Sequence, residues 1–124
     1  MAEFEVIPGY DEPRLEQGLH LMESIIGGRW NPMILFAIGQ GASRYTDIRN
    51  SIEYISDTEL QRKLNRLIET RLIVKATAEE DARKSEYQLT DFGGDITHIL
   101  YHILDISTRH QELGAGFTQA DAQG

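Results

Sequence analysis

Thr58, Gln61, Arg62, Asn65 and Arg66 recur at spacings of three and four, so a helix through them gathers a hydroxyl, two amides and two guanidinium groups on one face. Such a face suits nucleic acid: amides and guanidinium groups pair with base edges in a major groove, and cations neutralise phosphates. Ser56 stands at the head of the same helix and completes a candidate DNA-binding set. Ahead of it, Arg44 and Arg49 either clamp phosphate or pair with Asp47 and Glu53. Behind it, Arg83 and Lys84 sit where a hairpin tip would reach into a minor groove. The plainer alternative for all of these is a solvated polar surface.

His98, His102 and Asp105 form a second group, at i, i+4 and i+7 on one stripe of a later helix. Two imidazoles and a carboxylate are acceptable ligands for a divalent metal, and equally an ordinary polar face. No metal site is assigned on this ground, and no cofactor is expected. Enzymatic chemistry finds little support. The chain has no cysteine, no glycine-rich phosphate loop and no nucleophile with a base at a recognisable spacing. A protein that is not an enzyme is expected.

The elements that would hold these residues are legible from apolar spacing. Leu15, Leu19, Met22, Ile25 and Ile26 predict an amphipathic helix from Pro13 that ends at Gly27-Gly28. Asn31 before Pro32 reads as an N-cap, opening a helix to about Ile38 that is apolar nearly all round and therefore central and buried. Gly39 and Gly41 stop it. Ser43 to Tyr45 is a short extended link, and a helix carrying Ile48 and Ile52 follows. Glu53 to Ile55 is the turn before Ser56, which with Glu59 predicts a capping box. Leu60, Leu64, Leu67 and Ile68 place an apolar stripe opposite the polar face.

Arg71 occupies a helix end that favours a left-handed conformation. Two strands then follow, Ile73 to Thr77 and Glu86 to Leu89, around a polar tip "AEEDARK". Thr90 caps a last helix whose Ile96, Ile99, Leu100, Ile103 and Leu104 form another apolar stripe. Trp30 and Tyr45 read as packing residues, and Glu86 and Tyr87 as strand positions.

The length of 124 residues fits one domain. The expected organisation is an arm over 1–12, a domain over 13–113 and a flexible tail over 114–124. The formal net charge is −8. Between Ser43 and Thr90 the cations and carboxylates balance, so the negative excess lies in the two ends. No apolar run approaches the length of a membrane span and the acidic start is unlike a secretory signal, so a cytoplasmic location is expected.

Four phrases in fixed order, "IIGGRW" before an apolar helix, "RYTDIRNSI", "IS" before the leucine-striped helix, and "EYQLTDFG", resemble the HxlR-type branch of winged helix-turn-helix transcriptional regulators, relatives of the MarR group. The resemblance covers about Leu19 to Ile106. It implies a mainly helical fold with a small β-hairpin wing, and a homodimer on operator DNA joined through its first and last helices. An unidentified small effector would enter an apolar cleft between the central and dimer helices.

This chain departs from the pattern at several points. Asp57 and Glu59 stand where the family's reading helix is usually polar or basic, the wing carries Glu79, Glu80 and Asp81, and Arg71 replaces an expected glycine. Many members have a cysteine about where Gly18 lies, so their thiol sensing is absent here. These departures keep open an alternative: a winged-helix module that binds protein and has lost DNA.

Overall fold

The computed structural model describes residues 12–26, 28–78 and 81–112. Helices α1 (Glu12–Leu21), α2 (Trp30–Gly39), α3 (Tyr45–Ser51) and α4 (Asp57–Glu69) precede a hairpin of β1 (Ile73–Ala78) and β2 (Asp81–Leu89), and α5 (Asp91–Arg109) closes the order. This is a winged helix-turn-helix. A single π-helical turn, Met22–Ile26, extends α1. Of the expected arm only Glu12 is described, as the first residue of α1, and the expected tail lies outside the described residues.

Helix α2 is the hub, touching α3, α4, α5, β2 and the π-helical turn. Its Ile34 and Leu35 are fully buried with Ile48 of α3, Leu60 and Leu64 of α4, and Leu72 and Ile73 beyond it. Burying each such side chain stabilises the fold by roughly 1.5–3 kcal/mol, which makes this cluster the main source of cohesion.

The start of α2 differs from expectation. Arg29 occupies the N-cap position without a side-chain cap, and Asn31 lies inside the first turn, buried, with its Nδ2 donating to the Ser24 carbonyl at 3.3 Å. Pro32 tolerates the earlier start because first-turn positions need no N–H partner. Asn31 therefore ties α2 to the π-helical turn, and its buried Oδ1 has no partner among the described residues.

At the other end Gly41 adopts φ +105°, and the Gly41 and Ala42 N–H groups close on the carbonyls of Ile38 and Ala37 at 3.0 and 2.9 Å. The link that follows is extended, and its Ser43 carbonyl accepts the Tyr87 N–H at 2.6 Å, a one-residue edge to the hairpin.

The strands are antiparallel, Ile73 facing Leu89 and Ala76 facing Glu86, with an irregularity between Ala76 and Ala78. β2 starts at Asp81, so residues expected in the tip, Arg83 and Lys84 among them, belong to a strand. Among the described residues of the hairpin, the two strands differ in burial. Ile73, Tyr87 and Ser85 are covered, whereas Val74, Lys75, Ala76 and Thr77 are exposed on both faces. β1 is thus covered only at Ile73 among its described side chains.

Thr90 joins the two halves. Its Oγ1 accepts the Gly93 N–H at 3.0 Å and donates to the Arg71 carbonyl at 2.6 Å, while its own N–H reaches the Leu72 carbonyl at 3.1 Å. A Cβ on Gly93 would stand 1.9 Å from the Leu72 carbonyl oxygen, so this close approach of α5 to the chain after α4 requires glycine.

Candidate nucleic-acid interface

The interface is built on α4. Ser56 caps it, its Oγ accepting the Glu59 N–H at 3.1 Å. The expected capping box is half formed: the Glu59 carboxylate runs forward along the helix, to Arg62 and, at 3.9 Å, to Lys63. Leu60, Leu64 and Leu67 are buried on one side, which leaves Thr58, Gln61, Arg62, Asn65 and Arg66 exposed on the other. Those five residues line one open groove of about 740 Å³ with Tyr45, Asp57 and Glu69.

Along this face the polar side chains are held by one another. Gln61 Nε2 donates to Asn65 Oδ1 at 3.3 Å, Arg62 pairs with Glu59, and Arg66 pairs with Glu69 at 3.5 Å. Exposed pairs of this kind contribute at most about 1 kcal/mol each, so a phosphate or a base edge competes with them readily. They align the side chains along the helix without closing the groove.

The turn before α4 carries a contact that no local spacing foretold. Arg49 Nε donates to Asp57 Oδ1 at 2.5 Å and its Nη1 to the Ile55 carbonyl at 3.0 Å, while the Tyr45 hydroxyl donates to Asp57 Oδ1 at 3.1 Å. Arg49 thus pairs with Asp57, not with Asp47 or Glu53 as weighed from the sequence. The hydrogen bond from Arg49, with that from Tyr45, holds the Asp57 carboxyl below the usual aspartate range. Burial and the neighbouring carboxylate push the Tyr45 phenol above its ordinary value. Tyr54, 90% exposed in this turn, adopts φ 69°, and Arg71 after α4 adopts φ 64°. The second was expected; the first had no signal, since neither glycine nor asparagine marks the position.

The other candidates are dispersed. Arg44 is exposed at the N-cap of α3 and forms no ion pair among the described residues. Lys84 is exposed on β2, and the Arg83 side chain lies outside the described residues. Neither Arg44 nor Lys84 is among the described residues that line the α4 groove. Tyr45, Asp57 and Glu69 are the groove residues that the candidate set omitted. Tyr45 and Asp57 meet only through the tertiary turn, which residue spacing does not encode.

Among the described residues no helix is long and apolar enough to cross a membrane. No group of three or more metal-ligating side chains occurs among them either. Asp105 is drawn to Arg109 at 3.1 Å and does not join His98 and His102.

Comparison with known proteins agrees with this geometry. A protein of Fusobacterium mortiferum named for a regulatory role, MalR, is 31% identical over 78 residues, covering 62% of this chain and 74% of its own. The HTH-type transcriptional regulator YodB of Bacillus subtilis is 28% identical over 81 residues, 65% of this chain and 69% of its own. The crystal structure of a MarR-family protein of Porphyromonas gingivalis W83 matches with a TM-score of 0.65 at 28% identity, over 73% of this chain and 88% of that one. The model of the HxlR-like helix-turn-helix family matches residues 25–114, a span that runs from the π-helical turn past α5. This chain belongs to the HxlR-like helix-turn-helix family of DNA-binding transcriptional regulators.

Proposed function

We propose that the chain acts in the cytoplasm as a homodimer on operator DNA, with residues 13–113 as its winged helix-turn-helix and dimerisation unit. The observation that carries this reading is the asymmetry of α4: its leucine stripe is closed into the core while its polar and cationic face lies open in a groove. Laid in a major groove, that face offers Thr58, Gln61, Arg62 and Asn65 to base edges. Ser56, Arg66 and Arg44 would contact phosphates, and Arg83 and Lys84 the flanking minor groove. Arg49 contributes through the turn that aims α4.

Apolar residues left exposed on α1 and α5 support the dimer. Leu15, Leu19 and Met22 of the first helical segment, and Ile99, Ile103, Leu104 and Ile106 of α5, are each 40–55% exposed. A patch of this kind marks an association surface. Two copies would present their α4 helices to half-sites about one turn of DNA, roughly 34 Å, apart.

The test is selection of random duplex DNA on the purified protein at low and moderate salt, followed by Arg62→Ala on the enriched sequence. We expect enrichment of a two-fold site whose affinity falls steeply with salt. The variant should bind it about fivefold to a hundredfold more weakly, a loss of about 1–3 kcal/mol, with the dimer intact. Unchanged affinity would remove Arg62 from the reading face. One observation favours a second reading: Glu59, Glu69 and Asp57 pair with Arg62, Arg66 and Arg49, leaving the groove close to neutral. An intact dimer that enriches no DNA at either salt would point to a protein partner.

A further inference from the structure

The imidazoles of His98 and His102, one turn apart near the middle of α5, meet edge to face with their Nε2 atoms 3.1 Å apart. Both residues are exposed, and the helix beneath them is continuous from Asp91 to Arg109. We propose that this pair is a bidentate site for a late first-row divalent cation, nickel(II) or copper(II).

The donor set makes the choice. The two Nε2 atoms already stand 3.1 Å apart; with both protons on Nδ1 both Nε2 lone pairs are free to ligate, and small rotations of the exposed rings bring them onto one cation. A cation at the usual metal–imidazole distance of about 2.0–2.1 Å from each subtends an N–metal–N angle of about 95–100°. That angle falls between the cis angle of a square-planar or octahedral ion and the tetrahedral angle, so the span admits either; two imidazole nitrogens completed by solvent oxygens are the tetragonal N,O set that nickel(II) and copper(II) take. Asp105, held by Arg109, supplies no third ligand, so solvent fills the remaining positions. Because the rings are preplaced by the backbone, chelation costs little ordering, and a bound ion clamps one turn of α5. That turn borders Ile99, Ile103 and Ile106, so the ion sits at the edge of the exposed apolar stripe.

Titration of the full chain with nickel(II) and zinc(II) chloride, read by calorimetry and by the melting temperature, tests the proposal. We expect one nickel ion per chain, a higher Tm with nickel, and nickel binding more tightly than zinc. Either His98→Ala or His102→Ala should weaken binding at least about tenfold, by removing one arm of the chelate. His20→Ala and His110→Ala, at the two remaining histidines, should leave it unchanged. The positions are exposed, so unaltered helical circular dichroism confirms that each variant folds. Equal nickel affinity in His98→Ala and the parent, binding lost in His20→Ala or His110→Ala, or tighter zinc than nickel would overturn the assignment.

Discussion

Helices α4 and α5 are both amphipathic, and they differ in how much of their apolar surface one chain can cover. In α4 the stripe of Leu60, Leu64 and Leu67 is no more than 1% exposed. In α5 the stripe splits: Ile96 and Leu100 are 3–4% exposed, whereas Ile99, Ile103, Leu104 and Ile106 are 46–50% exposed. The same sequence pattern therefore serves two ends. α4 is finished within the monomer, so its remaining face is free for polar recognition. α5 is finished only at its N-terminal half, and the rest is apolar surface awaiting cover.

The sharpest way to break the comparison is to damage the finished helix. Leu64→Ala removes a fully buried side chain from the centre of the cluster. It should cost about 2–5 kcal/mol of stability, read as a drop in the denaturation midpoint with the transition still cooperative. Ile103→Glu addresses the unfinished helix. Ile103 is 46% exposed in the single chain, so the monomer should keep its circular dichroism. In the proposed dimer a carboxylate would be buried twice, and the dimer should dissociate at least about a hundredfold more readily in sedimentation experiments, close to 3 kcal/mol. Equal self-association in parent and variant would place the dimer surface elsewhere.

Gly93→Ala probes the joint between the two helices. The added methyl would meet the Leu72 carbonyl, which Thr90 also holds, so neither partner can withdraw freely. A loss of about 1–3 kcal/mol is expected, smaller than at Leu64 because the N-terminal turn of α5 can shift. An unaltered melting temperature would show that the joint is looser than its contacts imply.

What the sequence disclosed follows the range of the interactions. Ser56 and Thr90 were legible as caps because a cap bonds within three residues of its own position. The leucines of α4 were legible because burial repeats with the helix. Asn31 misled because cap chemistry and a tertiary hydrogen bond to the Ser24 carbonyl draw on the same side chain. Thr58, Gln61, Arg62, Asn65 and Arg66 did gather on one face, as helical spacing requires, but their carboxylate partners were less evident. Each cation had several acids within reach, and only the folded turn selects Asp57 for Arg49. The length of β2 was also hidden, since the run from Asp81 to Lys84 carries no apolar alternation in its residue types to mark a strand.

The smallest expected effect lies at that selected contact, where α4 begins. Asp57 is exposed, so Asp57→Asn should lower the melting temperature only slightly, and its information is in the pH dependence. The Asp57 carboxyl titrates below its ordinary value because Arg49 and Tyr45 donate to its charged form. A group whose folded pKa is depressed adds stability above its unfolded pKa, about 3.9 for aspartate, and loses it as the pH falls through the folded value. The parent should therefore exceed Asp57→Asn in Tm at neutral pH, and the gap should close in acid. The Tyr45 phenol gives the opposite sign. Its folded pKa is raised, by burial first and by Asp57 next, so its contribution holds below pH 10 and disappears as the pH rises through the folded value. In Asp57→Asn the charge behind part of that shift is gone, and Tyr45 should ionise at a lower pH, followed by its ring resonances in NMR. A Tyr45 titration indifferent to the substitution would mean that the brace beside the groove is not formed in solution, and that α4 is aimed by its leucines alone.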